Sequence, residues 1–166
     1  MSLFSRRAEN LKIKNPDVNT IYAPISGKVT PLEKVADVVF SQKIMGDGIA
    51  IKPDAGKLYA PVSGVVSVVF PTRHVIGIEA ENGANIIMHV GIDTVELNGK
   101  GFDVKVKQGD HVTQGQLLMN IDLKNIGQKY DMTTMVVVEN SGDFRLEPTN
   151  QPVIEAGEQL MKLTRA

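Results

Sequence analysis

The chain has 166 residues, 42% hydrophobic and 22% charged, which is typical of one globular domain. Its 18 basic and 19 acidic residues leave a formal net charge of -1, which argues against a nucleic-acid partner, and its lack of cysteine excludes disulfides and thiolate chemistry. No apolar run approaches the roughly 20 residues that cross a bilayer, and no signal-peptide pattern is present, so we expect a cytoplasmic protein.

Residues 1–19 are polar, lack a sustained hydrophobic period and end in a turn-forming Asn-Pro-Asp run. They predict a flexible N-terminal tail, followed by a single domain over residues 20–166. An alternative is that the apolar residues of the tail form a weak amphipathic helix on a membrane or a partner. These residues are Leu3, Phe4, Leu11 and Ile13.

From Ile21 onward, short apolar runs recur between Gly, Pro, Asn and Asp, a rhythm typical of a β-sandwich or barrel. The clearest predicted strands cover residues 65–70, 75–78, 86–90 and 135–138. Short helical turns are predicted near residues 32–35 and 123–129. We therefore expect an all-β fold, an antiparallel β-sandwich or barrel with minor short helices.

The sequence also contains an internal repeat. Residues 23–29, APISGKV, are repeated as APVSGVV at residues 60–66. Residues 106–118 show a weaker similarity to residues 153–160. A strand that ends in a Ser-Gly turn and starts another strand would produce both copies of the first repeat. The two pairs predict that the domain consists of two duplicated halves packed face to face.

Two of the three histidines flank a predicted hairpin. Its Asn82-Gly83 pair is a strong signal for a two-residue loop. With that loop His74 lies opposite Gly91. His89 then lies opposite Ile76, so the two imidazoles become diagonal neighbours on one face, with Cα atoms roughly 7–8 Å apart. A four-residue loop over residues 81–84 keeps this register, whereas a three-residue loop would shift it by one and send the histidines to opposite faces.

Two neighbouring imidazoles suit phosphoryl transfer, because one ring can attack through an unprotonated nitrogen while the other donates an N–H to a phosphoryl oxygen. The attacking ring needs its other nitrogen held, and a backbone carbonyl near Gly91 is the expected acceptor. One alternative is a zinc site formed by His74, His89 and Asp93. Another is that both histidines are half-buried strand residues with a structural role only.

An apolar cluster lies at residues 38–40 and 44–45, flanked by Asp37 and Asp47. The chain has no Gly-Lys-Ser/Thr phosphate loop, so a phosphoryl group would have to arrive on another protein. That protein would need a docking surface, which this cluster could supply. The same residues would equally suit a buried strand and turn, and the pattern leaves both interpretations open.

Several longer segments resemble the glucose-type IIA components of the bacterial phosphoenolpyruvate-dependent sugar phosphotransferase system. They are residues 89–102 (HVGIDTVELNGKGF), residues 37–51 (DVVFSQKIMGDGIAI), both Ala-Pro-x-Ser-Gly segments and the Thr72-Arg73-His74 run. The resemblance covers about residues 20–165. It implies a small antiparallel β-sandwich of duplicated halves.

The resemblance also implies roles for individual residues. His89 would accept a phosphoryl group on Nε2 from the phosphohistidine of HPr and pass it to a cysteine of a IIB domain. His74 would hydrogen-bond the phosphoryl oxygens and Thr72 would orient His74. A partner-binding face would include two acidic residues placed to meet basic residues of HPr, together with eight apolar residues. The ten are Asp37, Val38, Val39, Phe40, Ile44, Met45, Phe70, Ile87, Asp93 and Val95.

The resemblance implies a monomeric phosphotransferase component without a required cofactor, apart from an adventitious or partner-shared zinc ion at His74 and His89. A rival interpretation is a regulatory binding protein, in which the same face docks onto permeases or metabolic enzymes. Phosphorylation would then switch docking off by adding negative charge to an apolar surface. The sugar cannot be predicted, because this component does not contact it.

Overall fold

The structure, a computed structural model, describes residues 9–166. Its strands are β1 (Thr20–Tyr22), β2 (Gly27–Pro31), β3 (Asp47–Pro53), β4 (Lys57–Tyr59), β5 (Gly64–Val69), β6 (Val75–Ala80), β7 (Asn85–Val90), β8 (Phe102–Val104), β9 (His111–Val112), β10 (Leu117–Ile121), β11 (Thr134–Val138), β12 (Phe144–Pro148), β13 (Val153–Ile154) and β14 (Gln159–Arg165). The helices are α1 (Val38–Ser41) and α2 (Leu123–Ile126), and 3-10 turns cover Leu32–Lys34, Thr94–Leu97 and Ser141–Asp143.

The strands form one large sheet and two small ones. The eight-stranded sheet has the order β13-β2-β3-β11-β7-β6-β5-β9, and the three-stranded sheets have the orders β1-β14-β12 and β4-β10-β8. The strand pairs are antiparallel. The all-β prediction, with short helices only, is confirmed. None of the helices within residues 9–166 has the length and apolar character needed to span a membrane.

The main hydrophobic core lies between the large sheet and the two small sheets. Its members are mostly Ile, Leu, Val and Met, as expected for a chain with few aromatic residues. Side chains from both layers meet in this one cluster, including Ile21, Leu58 and Leu118 from the small sheets and Ile51, Ile76 and Met88 from the large sheet. This packing defines a sandwich.

The predicted duplication appears in the topology. The first repeat is the bend between β1 and β2, and its second copy is the bend between β4 and β5. The two bends bond reciprocally: Tyr22 N donates to Pro61 O at 2.9 Å, and Tyr59 N donates to Pro24 O at 2.7 Å. In the large sheet, the half β13-β2-β3-β11 mirrors the half β9-β5-β6-β7. The two halves therefore meet where β11 pairs with β7.

The predicted register of the β6–β7 hairpin is wrong. Val75 lies opposite His89, and Ile76 lies opposite Met88. Ala80 N donates to Ala84 O at 2.8 Å, which closes a loop of three residues, 81–83. Gly83 takes a φ of 89° at the last position of this loop. A glycine in the left-handed region is what a three-residue hairpin loop requires, so the Asn-Gly pair serves a longer loop than the one predicted.

The N-terminal segment that the structure describes contacts both halves of the domain. Leu11 N donates to Gly115 O at 2.8 Å, and the Asn10 side chain accepts from Leu117 N at 2.9 Å. The Leu11 and Ile13 side chains lie near Gly157. Residues 1–8 of the predicted tail, including Leu3 and Phe4 of the alternative amphipathic helix, lie outside the described residues.

Candidate functional site

His89 lies on β7, close to the junction of the two halves. It is opposite Val75 on β6 and Met135 on β11. These residues belong to a second apolar cluster, distinct from the main core, that α1 covers. The ring of Phe40 from α1 meets the His89 ring edge to face, with centroids 4.9 Å apart. His89 is half-buried, so its ring stands at the rim of this cluster with one side open.

A backbone carbonyl holds one nitrogen of the His89 ring. Nδ1 lies 2.8 Å from Gly91 O. Because a carbonyl oxygen can only accept a hydrogen bond, Nδ1 must donate, and in the neutral ring Nε2 then carries a lone pair. Gly91 has a φ of 85°, and a Cβ at this position would overlap Thr94 Cγ2. Glycine is therefore required to bring this carbonyl under the ring.

His74 reaches His89 from outside the regular strand. It lies in the bend before β6, directly after Arg73, whose φ is 64°. The left-handed residue turns the chain, so the alternation of faces along β6 does not apply to His74. Its ring lies 4.8 Å from the His89 ring, centroid to centroid, and almost perpendicular to it at 89°. In the observed register, a regular strand would place His74 on the opposite face of the sheet from His89. The bend instead brings the two rings together.

A threonine hydroxyl holds His74. Thr72 Oγ1 lies 2.9 Å from His74 Nδ1, and the His74 side chain is only 3% exposed. The ring of Phe70 packs edge to face on His74, with centroids 5.8 Å apart. When the Thr72 hydroxyl donates to Nδ1, the His74 proton resides on Nε2, and that nitrogen becomes a donor.

Both rings are neutral near pH 7. Burial, and next the neighbouring His74 ring, lower the pKa of His89 from 6.5 to about 4. Burial also lowers the pKa of His74. The cause is physical, since a charged imidazolium loses hydration in an apolar setting. A neutral pair can combine a nucleophilic nitrogen on one ring with an N–H donor on the other.

The three-ligand zinc site considered from the sequence is not formed. Within residues 9–166, no group of three His, Cys, Asp or Glu side chains is arranged to hold a metal ion. Asp93 therefore does not join His74 and His89 as a third ligand. Two histidines alone leave a zinc ion short of the protein ligands that a resident site uses.

Comparisons with known proteins show the family of the chain. A family model described as "phosphoenolpyruvate-dependent sugar phosphotransferase system, EIIA 1" matches residues 19–144. The chain belongs to this EIIA family. An EIIA domain is a phosphotransferase component of that system and a phosphocarrier in sugar uptake.

Two relatives of this EIIA domain come from Staphylococcus carnosus. The glucoside-specific EIICBA component is 44% identical over 142 residues, covering 85% of this chain and 20% of the relative. The glucose-specific EIICBA component is 43% identical over 154 residues, covering 92% and 23%. The chain thus spans less than a quarter of the length of either relative. Among solved structures, the glucose permease IIA from Mycoplasma capricolum matches with a TM-score of 0.81 and 34% identity, covering 86% of this chain and 93% of that one.

The residues predicted for the partner-binding face of the EIIA domain divide by exposure. Five apolar side chains are open to solvent: Val38 (61%), Val39 (40%), Ile44 (66%), Phe70 (42%) and Val95 (50%). Met45 is half-buried. Phe40 and Ile87 are buried, at 4% and 8% exposure, because they belong to the cluster beneath His89. Those two residues therefore support the face and line its floor; they are not exposed contact residues.

The acidic residues predicted for this face take different positions. Asp37 is half-buried at the N-cap of α1, where its side chain accepts from Val39 N at 2.9 Å. Asp93 is exposed and has a φ of 60° before the turn Thr94–Leu97. Asp37, His89 and five of the predicted apolar residues line a depression of about 330 Å³, and Glu139 also lines it. The five are Val39, Phe40, Met45, Phe70 and Ile87. Glu139 was not predicted from the sequence, although its position directly after a predicted strand indicated a residue at the edge of the sheet.

Thr94 is a second residue that sequence reasoning missed. It is fully buried, and its hydroxyl donates to Val90 O at 2.5 Å. Its methyl group packs where a Cβ of Gly91 would lie. Thr94 therefore fixes the turn that carries the Gly91 carbonyl. In the sequence, only its place within the residue 89–102 motif indicated that Thr94 belongs to the site.

Proposed function

We propose that His89 accepts a phosphoryl group from the phosphohistidine of HPr and passes it to a cysteine of the IIB domain of a sugar permease. One observation carries the proposal. The hydrogen bond from Nδ1 to Gly91 O leaves Nε2 of His89 with a free lone pair, on a half-buried ring beside a second neutral imidazole. This is the arrangement that in-line phosphoryl transfer needs, because the chemistry consists of positioning a nucleophile and balancing oxygen charge.

The transfer has two balanced steps. In the first, the lone pair of His89 Nε2 attacks phosphorus, the P–N bond of phospho-HPr breaks, and its electron pair stays on the HPr imidazole. In the second, a IIB cysteine thiolate attacks phosphorus, and the bond to His89 Nε2 breaks. His74 stabilises both steps by donating its Nε2–H to a phosphoryl oxygen, while Thr72 holds the opposite nitrogen.

The surface around His89 supports protein partners. The exposed apolar side chains of Val39 and Phe70 line the depression, as do the acidic residues Asp37 and Glu139. A partner with an apolar contact patch and basic residues would complement this surface. The two relatives contain EIIC and EIIB parts by name, which supports a sugar permease as the second partner. Their names differ in the sugar, so we propose only the class of permease.

The deciding experiment is phosphorylation of the chain by phosphoenolpyruvate, enzyme I and HPr, followed by intact-mass analysis. We expect one acid-labile phosphoryl group on the wild type and none on His89→Ala. His111→Ala is the matched control, because His111 is an exposed histidine on β9 and should leave labelling unchanged. Normal labelling of His89→Ala would refute the proposal.

The docking surface has its own test. Val38→Asp places a charge on an apolar residue of α1 that is 61% exposed and lies between Asp37 and Val39, two residues that line the depression. We expect the KM for phospho-HPr to rise by about tenfold. Val153→Asp is the matched control, because Val153 is 58% exposed but lies on β13 at one edge of the large sheet. Equal KM values for the two variants would place the docking surface elsewhere.

A further inference from the structure

The Gly91–Ile92 peptide forms a link between two hydrogen bonds. Its carbonyl, Gly91 O, accepts from His89 Nδ1 at 2.8 Å. Its N–H, on Ile92, donates to Asp131 O at 2.8 Å. In a trans peptide the C=O and N–H groups point in opposite directions, so the two bonds align. Aligned hydrogen bonds polarise one another, and the Asp131 carbonyl therefore strengthens the acceptor that holds His89.

The position of the Asp131 carbonyl depends on the Asp131 side chain. Its Oδ1 accepts from Thr133 N at 3.0 Å and from the Thr133 hydroxyl at 2.6 Å. These bonds close an Asx turn at the entrance to β11. Thr133 O in turn accepts from Gly91 N at 3.2 Å. The turn at residues 131–133 thus contacts the turn at residues 90–92 through two backbone hydrogen bonds.

We propose that Asp131 is a positioning residue for His89, acting through the Gly91–Ile92 peptide to keep the His89 proton on Nδ1. The inference rests on the proposed function of His89. Burial raises the pKa of Asp131, but the hydrogen bonds from Thr133 outweigh it and hold the pKa below its ordinary value, so the carboxylate stays ionised near neutral pH. An ionised carboxylate is the stronger acceptor for both Thr133 donors.

The proposal makes a prediction about the tautomer of a ring that Asp131 does not touch. With 15N-histidine-labelled full-length chain at pH 7, the ring-nitrogen shifts of His89 report the ratio of the Nδ1–H and Nε2–H forms. In Asp131→Ala we expect the Nε2–H share to rise severalfold. Phosphoryl acceptance from phospho-HPr should slow by about tenfold at unchanged KM, a smaller loss than the ~100-fold that a 1 Å misplacement can cause.

Three variants separate positioning from a general loss of structure. Asp131→Asn keeps an Oδ1 acceptor and should restore both the tautomer ratio and the rate. Thr133→Val removes only the hydroxyl donor and should give a smaller shift in the same direction. Asp17→Ala removes a comparable turn, in which Asp17 Oδ1 accepts from Asn19 N at 2.8 Å, and should change neither measurement.

The outcomes are distinct. The inference is wrong if His89 has the same tautomer ratio in Asp131→Ala as in the wild type or in Asp17→Ala. If Asp131→Ala does not fold, the tautomer ratio of Thr133→Val decides in its place. If phospho-HPr labels no form of the chain, including the wild type, the proposed function fails, whereas the tautomer ratios still decide whether Asp131 positions His89.

Discussion

The two histidines of the site are held in different ways. His89 lies on a regular strand and is half-buried, and a backbone carbonyl holds its Nδ1. His74 lies in a bend and is almost fully buried, and a side-chain hydroxyl holds its Nδ1. In each ring Nε2 is therefore the nitrogen that these contacts do not engage, and the ring centroids are 4.8 Å apart.

The difference between a carbonyl and a hydroxyl supports the roles proposed for the two histidines. A carbonyl can only accept, so it fixes the proton of His89 on Nδ1 and leaves Nε2 free to attack. A hydroxyl can donate or accept, so His74 can carry its proton on Nε2 and donate it to a phosphoryl oxygen. In the proposed function, two identical side chains thus take opposite roles because different groups hold them.

The largest expected effect comes from removing the donor ring. In His74→Gln, we expect His89 still to take up a phosphoryl group, because a slower first step still reaches completion. Transfer to IIB should slow by about 100-fold, since the Gln amide does not place its N–H where the His74 ring does. Single-turnover transfer from the phosphorylated variant to IIB measures this. A His74→Gln variant that transfers at the wild-type rate would show that the donor role assigned to His74 is wrong.

The next effect concerns stability and pH. Since the pKa of His89 is lowered from 6.5 to about 4 in the folded state, the unfolded state binds more protons between these values. Stability should therefore fall as the pH falls from 6.5 to 4, with His89 contributing about 1–2 kcal/mol of the loss at pH 5.

Urea unfolding of the wild type and of His89→Gln at several pH values isolates this contribution. The variant should lose less stability than the wild type between pH 6.5 and pH 4. Parallel stability curves for the two proteins over this range would contradict the lowered pKa.

The smallest effect tests the hydroxyl behind His74. We expect Thr72→Val to slow phosphoryl transfer to IIB by about tenfold, or ~1.4 kcal/mol, since one hydrogen bond that orients the donor is lost. Thr72→Ser keeps the hydroxyl and should restore the rate. If the Ser and Val variants are equally slow, the methyl group matters and the hydrogen bond does not.

Much of the fold was readable from local patterns. The β-branched runs with turn residues between them predicted the strands, and the repeated Ala-Pro-x-Ser-Gly segment predicted two halves, because duplicated segments adopt the same bend. The register of the β6–β7 hairpin was not readable in this way. An Asn-Gly pair fits loops of two residues and of three, and packing on both sides of the sheet selects between them.

The sequence by itself determined which residues stand near one another along the chain: His89 two residues before Gly91, and Thr72 two residues before His74. Only the tertiary structure decided that the bend at Arg73 carries His74 to His89, that Phe40 and Ile87 lie beneath the surface, and that Asp131 lies behind the Gly91 peptide. These contacts join segments far apart in sequence. Their geometry depends on how the sheets pack, which no local pattern encodes.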